Sequence, residues 1–518
     1  MHKFTYSSSI LNITAPKPYH KAIDYNKFHK KLNVGYQLNI QKLGDYLIYR
    51  RRYVMIKKQE INYYDVMIIG AGPGGLFAAY ELSKLSNLSI LIADKGKSLD
   101  ERVNFCKPHK CSPRDPCGIT HGIGGAGLFS DGKFRPFFNL EKYSIDLLGS
   151  KRLGEEIVTH IKEISSKLKI DIRCKNPDLK KIRSMEKNAS SVGMKFTYYP
   201  GVIHIGSDAS ILPIKKIVTN LESAGVMFLV NSKAGNIKIS NELINIELIM
   251  NNKKITISTR FLALAPGKAG ARWMNEQIKR LKIKTEKTPP FVGIRVEVDR
   301  NIMKPLTNLS YDPKISMYTE SNDYVKTHCF CEGGRVIDCR YDDLRVLGGH
   351  SLMDPDSKNT NFAILSSINL PKATDPYEYS ERLVRSVNKL GNGKLLIQRL
   401  GDLISGKKST LKDIKNNMIS STLLAYTPAD IRRALPQRVI KNILLFLEKL
   451  DAICPGIMNE STLVYAPAVE WWSNRIVVNS NMETSVKNIF AVGEGAGSSK
   501  GIVGSAATGV LAARRIIK

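Results

Sequence analysis

Gly70, Gly72 and Gly75 stand at the spacing G-x-G-x-x-G, and Asp94 follows 24 residues beyond Gly70. The chemistry this spacing serves is the holding of a dinucleotide. Gly70 makes a tight turn and Gly72 lets the backbone approach a pyrophosphate; Gly75 with Ala79 lets a helix lie close on a sheet. Pro73 and Gly74 open that helix, whose N-terminus faces the phosphate charge. Asp94, followed by Lys95, ends the next strand where a ribose hydroxyl would sit.

Three further stretches carry chemistry. Gly122 to Gly127 repeats G-x-G-x-x-G but follows a loop, so it does not count as a second nucleotide fold. The small backbone at Gly124, Gly125, Ala126 and Gly127 suits close approach to a flavin or its pyrophosphate, with Ser130, Asp131 and Lys133 as polar groups nearby. Near the C-terminus, Gly493-Glu494 follows a short strand, Gly497 lies in the next loop, and a helix starts near Gly501-Ile502. There the acidic residue is suited to a ribityl hydroxyl, and the helix N-terminus to N1 and O2 of an isoalloxazine, where negative charge gathers on reduction. Lys500 either adds a full charge at that spot or is a solvated lysine at a loop tip. Cys329 and Cys331 would share a face of a strand, a pair poorly placed to close a disulfide. They are either a thiol near the flavin or small residues packed beneath the Gly333-Gly334 turn. Lys133, Lys500 and Cys329 are the candidate catalytic residues.

Cys106, Cys111 and Cys117, with His109 and His121, invite a metal reading, but C-x4-C-x5-C lacks the paired C-x2-C of a zinc knuckle. No metal is expected, and the thiols read as buried or loosely redox-active.

These residues need elements to position them. A buried strand at Val66 to Ile69, an apolar helix to about Leu85 and a strand at Ser89 to Ala93 bracket the first glycine turn. Tyr143 to Asn188 reads as mainly helical, with Ile157, Ile161, Ile164 and Leu168 on one face. Pro213 to Ala224 is a helix with an Ile214, Ile217, Val218, Leu221 stripe, and Val226 to Val230 returns the chain to the first sheet as its third strand. Residues 234–258 form a β meander, and Arg260 to Ala265 is a separate short strand ending in Pro266-Gly267, which join the candidate cofactor set. Strands at Phe291 to Asp299, Thr327 to Cys339 and Asn361 to Leu370, with helices after Tyr377 and through Ile440 to Leu450, make an α+β insert. The fold class is therefore α/β: a Rossmann-like domain with a parallel sheet and β meander, plus an inserted α+β substrate domain. The expected boundaries are a basic extension at 1–60, a discontinuous cofactor domain at 61–290 and 467–518, and a substrate or cap domain at 291–466.

At 518 residues, with 43% apolar and 24% charged residues, the chain has the composition of a globular protein of more than one core. No run of about 18 uncharged apolar residues suggests a membrane span. Eight cysteines do not make a disulfide scaffold, and a reducing, cytoplasmic compartment is expected. A formal charge of +31 points either to phosphate-rich or acidic partners or to a lysine-rich composition general to the source. Residues 1–54 show neither an apolar signal core nor a helical period, and Met55 is a natural start, so they are expected to be dispensable.

Together GAGPGG, CGITHGIGGAGLFSDGK, LALAPGKAGARW, THCFCEGG and NMETSVKNIFAVGEGAGSSKGI resemble the successive motifs of the uncharacterised FAD-dependent dehydrogenases of prokaryotes, within the wider glutathione-reductase-like flavoprotein class. The resemblance spans about Tyr64 to Lys518. It implies FAD at the Gly70 to Gly75 site, Asp94 on the adenosine ribose, the Ala234 backbone at the adenine, and Gly124 to Gly127 with Gly493 and Glu494 at the pyrophosphate and flavin. Glu494 departs from the Asp of the general pattern, and Lys500 stands where Arg is expected.

The expected activity is an FAD-dependent oxidoreductase, a dehydrogenase moving a hydride or two electrons between flavin and a small or lipid-like substrate. An FAD-containing nucleic-acid-binding or RNA-modification protein is the alternative; without aromatic-basic interleaving, nucleic acid is the less favoured partner. No second strand-GxGxxG-helix unit follows, so slow direct reduction by NADH or NADPH is expected, with a substrate or an electron-carrier protein as donor.

Overall fold

The computed structural model describes residues 62–105, 116–136, 147–470, 474–497 and 499–518. The expected N-terminal extension, Cys106, His109 and Cys111 lie outside the described residues. Glu60–Lys518 packs as one compact unit.

The first sheet grows from the glycine turn. Strand β1 (Tyr63–Ile69) feeds helix α1 (Pro73–Leu85), which returns to β2 (Ile90–Ala93). Val66, Met67 and Ile68 are fully buried, each contributing about 1.5–3 kcal/mol relative to exposure. Helix α2 (Leu147–Lys167) packs against helix α3 (Ile211–Ser223), which packs against α1, and α3 hands the chain to β3 (Met227–Leu229), parallel to β2. On α2, Ile157, Ile161 and Ile164 are buried as their spacing requires; Leu168 falls beyond the helix end and is exposed.

A meander follows: β4 (Lys233–Ser240), β5 (Leu243–Met250) and β6 (Lys253–Leu264). The two strands expected at its end are one. The first half of β6 pairs antiparallel with β5, and its second half runs parallel to β1. Continuous burial from Leu262 onward replaces the alternation of the first half, which is why the sequence looks divided there.

Among the described residues the second sheet has eight strands. At its centre lie β7 (Phe291–Asp299), β8 (Tyr324–Glu332), β11 (Asn359–Ser367) and β12 (Leu463–Glu470), while β9 (Arg335–Tyr341) and β10 (Leu344–His350) form a separate hairpin. This sheet also takes a strand from Lys195–Thr197, and β12 crosses residue 466, so the boundaries at 291 and 466 do not bound the sheet. Helix α4 (Gln437–Asp451) packs on it.

The chain then closes the first sheet with β13 (Ile489–Ala491), parallel to β6, and helix α5 (Gly501–Ile517). α5 lies against α1 so closely that a Cβ at Gly509 would fall 2.1 Å from the Gly74 carbonyl oxygen. That packing brings two helix N-termini side by side.

Candidate active site

Both N-termini open onto one cavity of about 550 Å³. α1 begins at Pro73 and α5 at Gly501; neither has an acidic residue in its first turn or a side-chain cap. Their free N–H groups and dipoles therefore meet whatever fills the cavity, which favours anionic groups. Gly72 leaves room for a ligand in that space. Its φ of −76° suits any residue, and a Cβ there would meet nothing nearer than Gly125 Cα at 3.8 Å. Protein packing does not require glycine at 72, and the cleft in front of it is open.

Most of the expected cofactor residues come together here. From the first turn, Gly70, Gly72, Pro73 and Gly74 line the cavity with Asp94 and Lys95. Gly125, Ala126, Gly127 and Ser130 form the facing loop. Ala234, Pro266 and Gly267 line the meander side, and Gly493, Glu494, Gly501 and Ile502 the α5 side. Gly75 and Ala79 lie behind the wall: a Cβ at Gly75 would be 2.0 Å from the Gly70 carbonyl oxygen, and Ala79 is fully buried. Gly124 also sits behind it, against Leu128 and Ile214, and Gly497 packs on Arg475.

Asp94 does more than end a strand. One carboxylate oxygen accepts from Ala71 N–H at 2.9 Å, and the other from Gly96 N–H at 2.8 Å and Gly122 N–H at 2.9 Å. It ties the first glycine turn to the second.

The second turn has an organiser the sequence reading missed. The guanidinium of Arg102, fully buried, donates to the carbonyls of Gly118 (2.8 Å), Ile119 (3.1 Å), Gly122 (3.2 Å), Ile123 and Gly125 (2.8 Å). A planar fork can turn five carbonyls inward at once, leaving the amide side of the loop toward the cleft.

His121 is a second missed residue. Its Nδ1–H donates to the Cys117 carbonyl at 3.1 Å and to Thr120 Oγ1 at 2.8 Å, while Thr120 donates onward to the Arg340 carbonyl at 2.7 Å. Burial, with Lys95 nearby, lowers its pKa to about 4. The ring is neutral at pH 7, and Nε2, buried with no partner among the described residues, offers a lone pair at the cleft wall. A hydroxyl or ring N–H of a cofactor is the complement of such an acceptor.

Beyond Lys268 and Tyr341 the cleft adjoins a smaller chamber of about 190 Å³ under the second sheet. Leu347, Leu365, Ile337 and Val469 supply apolar walls, and Asp131, Arg295, His328 and Cys329 supply polar groups. Burial, aided by Lys314, Lys326 and Lys268, holds the His328 imidazole well below its usual range against Glu470.

The three candidate catalytic residues fare differently. Lys133 lines neither cavity: its ammonium is 3.1 Å from Asp131 Oδ2 and donates to the Phe330 carbonyl. Burial opposes its charge, but Asp131 and the neighbouring thiols more than offset this and hold its pKa above the ordinary value, so it acts as a fixed cation rather than a proton carrier. Lys500 turns from the cleft to Glu470, 2.8 Å away, which Lys326 also meets at 2.7 Å. The charge expected at N1 is thus spent on a buried carboxylate of β12. Cys329 does line the chamber, but on no regular strand: β8 bulges between His328 and Cys331, and Cys329 takes φ +52°.

Asp131, Cys329 and Cys331 present donor atoms within 4.8 Å of one another. Lys133 and, 3.3 Å from Cys331 Sγ, the Arg295 guanidinium already hold those atoms, so the set fits a charged hydrogen-bond network better than a divalent ion.

A family model described as "FAD-dependent protein, C-terminal domain-like" matches residues 292–470, which run from β7 to the end of β12. An uncharacterized protein of Clostridium beijerinckii is 24% identical over 485 residues, covering 87% of this chain and 80% of its own length. Among solved structures, glycine oxidase from Geobacillus kaustophilus is 11% identical, covering 88% of this chain and 94% of its own, with a TM-score of 0.39. The p-nitrophenol 4-monooxygenase PnpA of Pseudomonas putida is also 11% identical, covering 88% and 78%, with a TM-score of 0.36. These last two likenesses are too distant to bear on the site. The family match and the cleft agree on the class: an FAD-dependent oxidoreductase. FAD is the cofactor that the two helix N-termini, the Gly72 cradle and the His121 acceptor fit.

Proposed function

We propose that the protein moves a hydride or two electrons between FAD held in the cleft and a small or lipid-like substrate held in the chamber. The observation that carries this reading is the shared wall: Thr120, Ala126, Ser130, Lys268 and Tyr341 line both spaces. Bound FAD supplies the redox chemistry; the chain supplies binding, orientation and charge. The N-termini of α1 and α5 take its anionic groups, His121 accepts from one of its donors, and Lys268 holds a positive charge between cofactor and substrate. The apolar chamber walls exclude water from the substrate's reacting carbon. The sheet order β3-β2-β1-β6, with β13 beside β6 and a meander before the closing strand, supports the glutathione-reductase-like reading.

No helix among the described residues is long and apolar enough to cross a membrane. A cytoplasmic location and a small electron-carrier protein as donor belong to the same proposal.

The test is anaerobic mixing of the oxidised protein with NADH, NADPH and a panel of reduced donors while flavin absorbance is followed. Slow bleaching by both pyridine nucleotides and fast bleaching by another donor are expected; bleaching within milliseconds by NADPH alone would overturn the donor assignment. Steep salt dependence of micromolar RNA binding would favour the nucleic-acid alternative.

A further inference from the structure

The bulge in β8 gives Cys329 and Cys331 a relationship that a regular strand denies them. Their Sγ atoms lie 3.9 Å apart, and Cys329 faces the chamber that adjoins the cofactor cleft. Room for the sulfurs is kept by glycine: a Cβ at Gly349 would fall 2.6 Å from Cys331 Sγ, and one at Gly334 2.9 Å from Cys331 Cβ. The packing beneath the Gly333-Gly334 turn is therefore real, but it leaves Cys329 open toward the chamber while Cys331 stays buried.

The charges around the pair are asymmetric. Arg295, 2% exposed, donates to Cys331 Sγ at 3.3 Å and to the Cys329 carbonyl at 2.9 Å, and is itself fixed by Asn361 at 2.6 Å. Cys329 Sγ lies 3.5 Å from Asp131 Oδ2, which Lys133 anchors. The Cys329 proton thus has Asp131 and Cys331 as acceptors, while Cys331 has a guanidinium. The neighbouring Cys329 thiol, then Arg295 and Lys133, bring the Cys331 thiol down to about 7 against its burial, and Cys329 moves up. One thiolate and one thiol in contact are the reduced half of a dithiol–disulfide couple.

We propose that Cys329 and Cys331 are a redox-active dithiol that closes to an intramolecular disulfide and exchanges two electrons with the flavin of the adjoining cleft. This rests on the reading of the cleft as an FAD site. In the forward step the S–H bond of Cys329 breaks and one S–S bond forms; two electrons and that single proton pass to oxidised FAD, giving FADH⁻ and leaving the charge unchanged. The reverse step reopens the disulfide. Cys329, at the chamber wall, is the sulfur nearer the flavin side, and Cys331 is its buried partner.

Two measurements decide it. The native protein is equilibrated anaerobically across a series of reduced-to-oxidised dithiothreitol ratios, quenched with an alkylating agent and weighed intact. A couple in which two alkyl groups are lost together, mapped to the 329–331 peptide, is expected; both thiols alkylated at every ratio would overturn the proposal. The holoprotein is then titrated with dithionite. Four electrons per flavin are expected from the oxidised wild type and two from Cys329→Ser and Cys331→Ser; two electrons in the wild type would overturn the link to the flavin. The mass measurement does not depend on a variant folding or on flavin being bound, so a protein without FAD would defeat the reading of the cleft and leave the dithiol to be decided by mass.

Discussion

Lys268 Nζ, on the wall common to cleft and chamber, lies 3.1 Å from Glu494 Oε1 and so pairs the turn after β6 with the turn after β13. Burial works against the ammonium, but Glu494 prevails and Lys268 stays charged. A fixed cation here stabilises the negative charge of a reduced flavin. Lys268→Met is expected to make the flavin midpoint potential more negative by about 30 mV or more, equivalent to about 1.4 kcal/mol for a two-electron couple. Lys500→Met, whose charge is committed to Glu470, is expected to move it less. Dye-equilibrated reduction measures both, and an unmoved potential in Lys268→Met would remove Lys268 from this role.

Gly72 and Gly75 separate ligand from packing. At Gly75 any Cβ meets the Gly70 carbonyl at 2.0 Å, so Gly75→Ala is expected to lose about 3 kcal/mol or more of stability along with FAD. At Gly72 the protein has room, and Gly72→Ala is expected to keep the melting temperature of the flavin-free protein within about 2 °C while binding FAD at least tenfold more weakly. Thermal melts with and without added FAD check the pair. Equal FAD affinity in wild type and Gly72→Ala would mean the cleft is not where the pyrophosphate lies.

What the sequence shows and what it hides divide along the range of the interaction. Helix α1 and strand β7 are legible because turn glycines and apolar runs are local, and Phe291–Asp299 forms as one strand over the residues its pattern marks. Arg102 is hidden because its worth depends on a loop sixteen or more residues away folding back around it. His121 sits among cysteines that suggest metal chemistry, and its Nε2 matters only once Cys117 and Thr120 have engaged Nδ1. Lys268 had a signal: a lone cation directly after the Pro266-Gly267 turn that ends a buried strand. The Cys329–Cys331 contact was unreadable because a strand pattern carries no mark of a bulge, and Lys500 was misplaced because Glu470, its partner, is 30 residues earlier.

Arg102→Met is expected to destabilise the fold by about 3–5 kcal/mol, since it removes a buried guanidinium that holds several loop carbonyls together. Arg102→Lys is expected to recover little, because a point charge cannot reproduce the fork. Denaturant melts of the two variants measure this; full rescue by lysine would show that charge, not geometry, holds the loop.

His121 makes the protein acid-sensitive. Its folded pKa, about 4, lies below the ordinary value of 6.5, so the unfolded chain takes up a proton first as pH falls. Stability is therefore lost from about pH 6.5 down to about 4, by roughly 3 kcal/mol, and is flat above that window for this group. His204, also lowered to about 4 by burial, adds to the same slope. His121→Asn keeps a donor for the Cys117 carbonyl but cannot titrate, and is expected to make the pH dependence of melting between 4 and 6.5 shallower, with His204 supplying the remaining slope. An unchanged slope would show that His121 is not the group responsible.

The binding of FAD in the cleft between α1 and α5 underlies the proposed function. Its most direct test is the absorbance spectrum of the purified protein, with the cofactor released by denaturation, weighed by mass spectrometry and quantified against protein. One FAD per chain, lost in Gly75→Val and weakened in Gly72→Ala, is the expected result. A folded, colourless protein that takes up no added FAD would contradict the account.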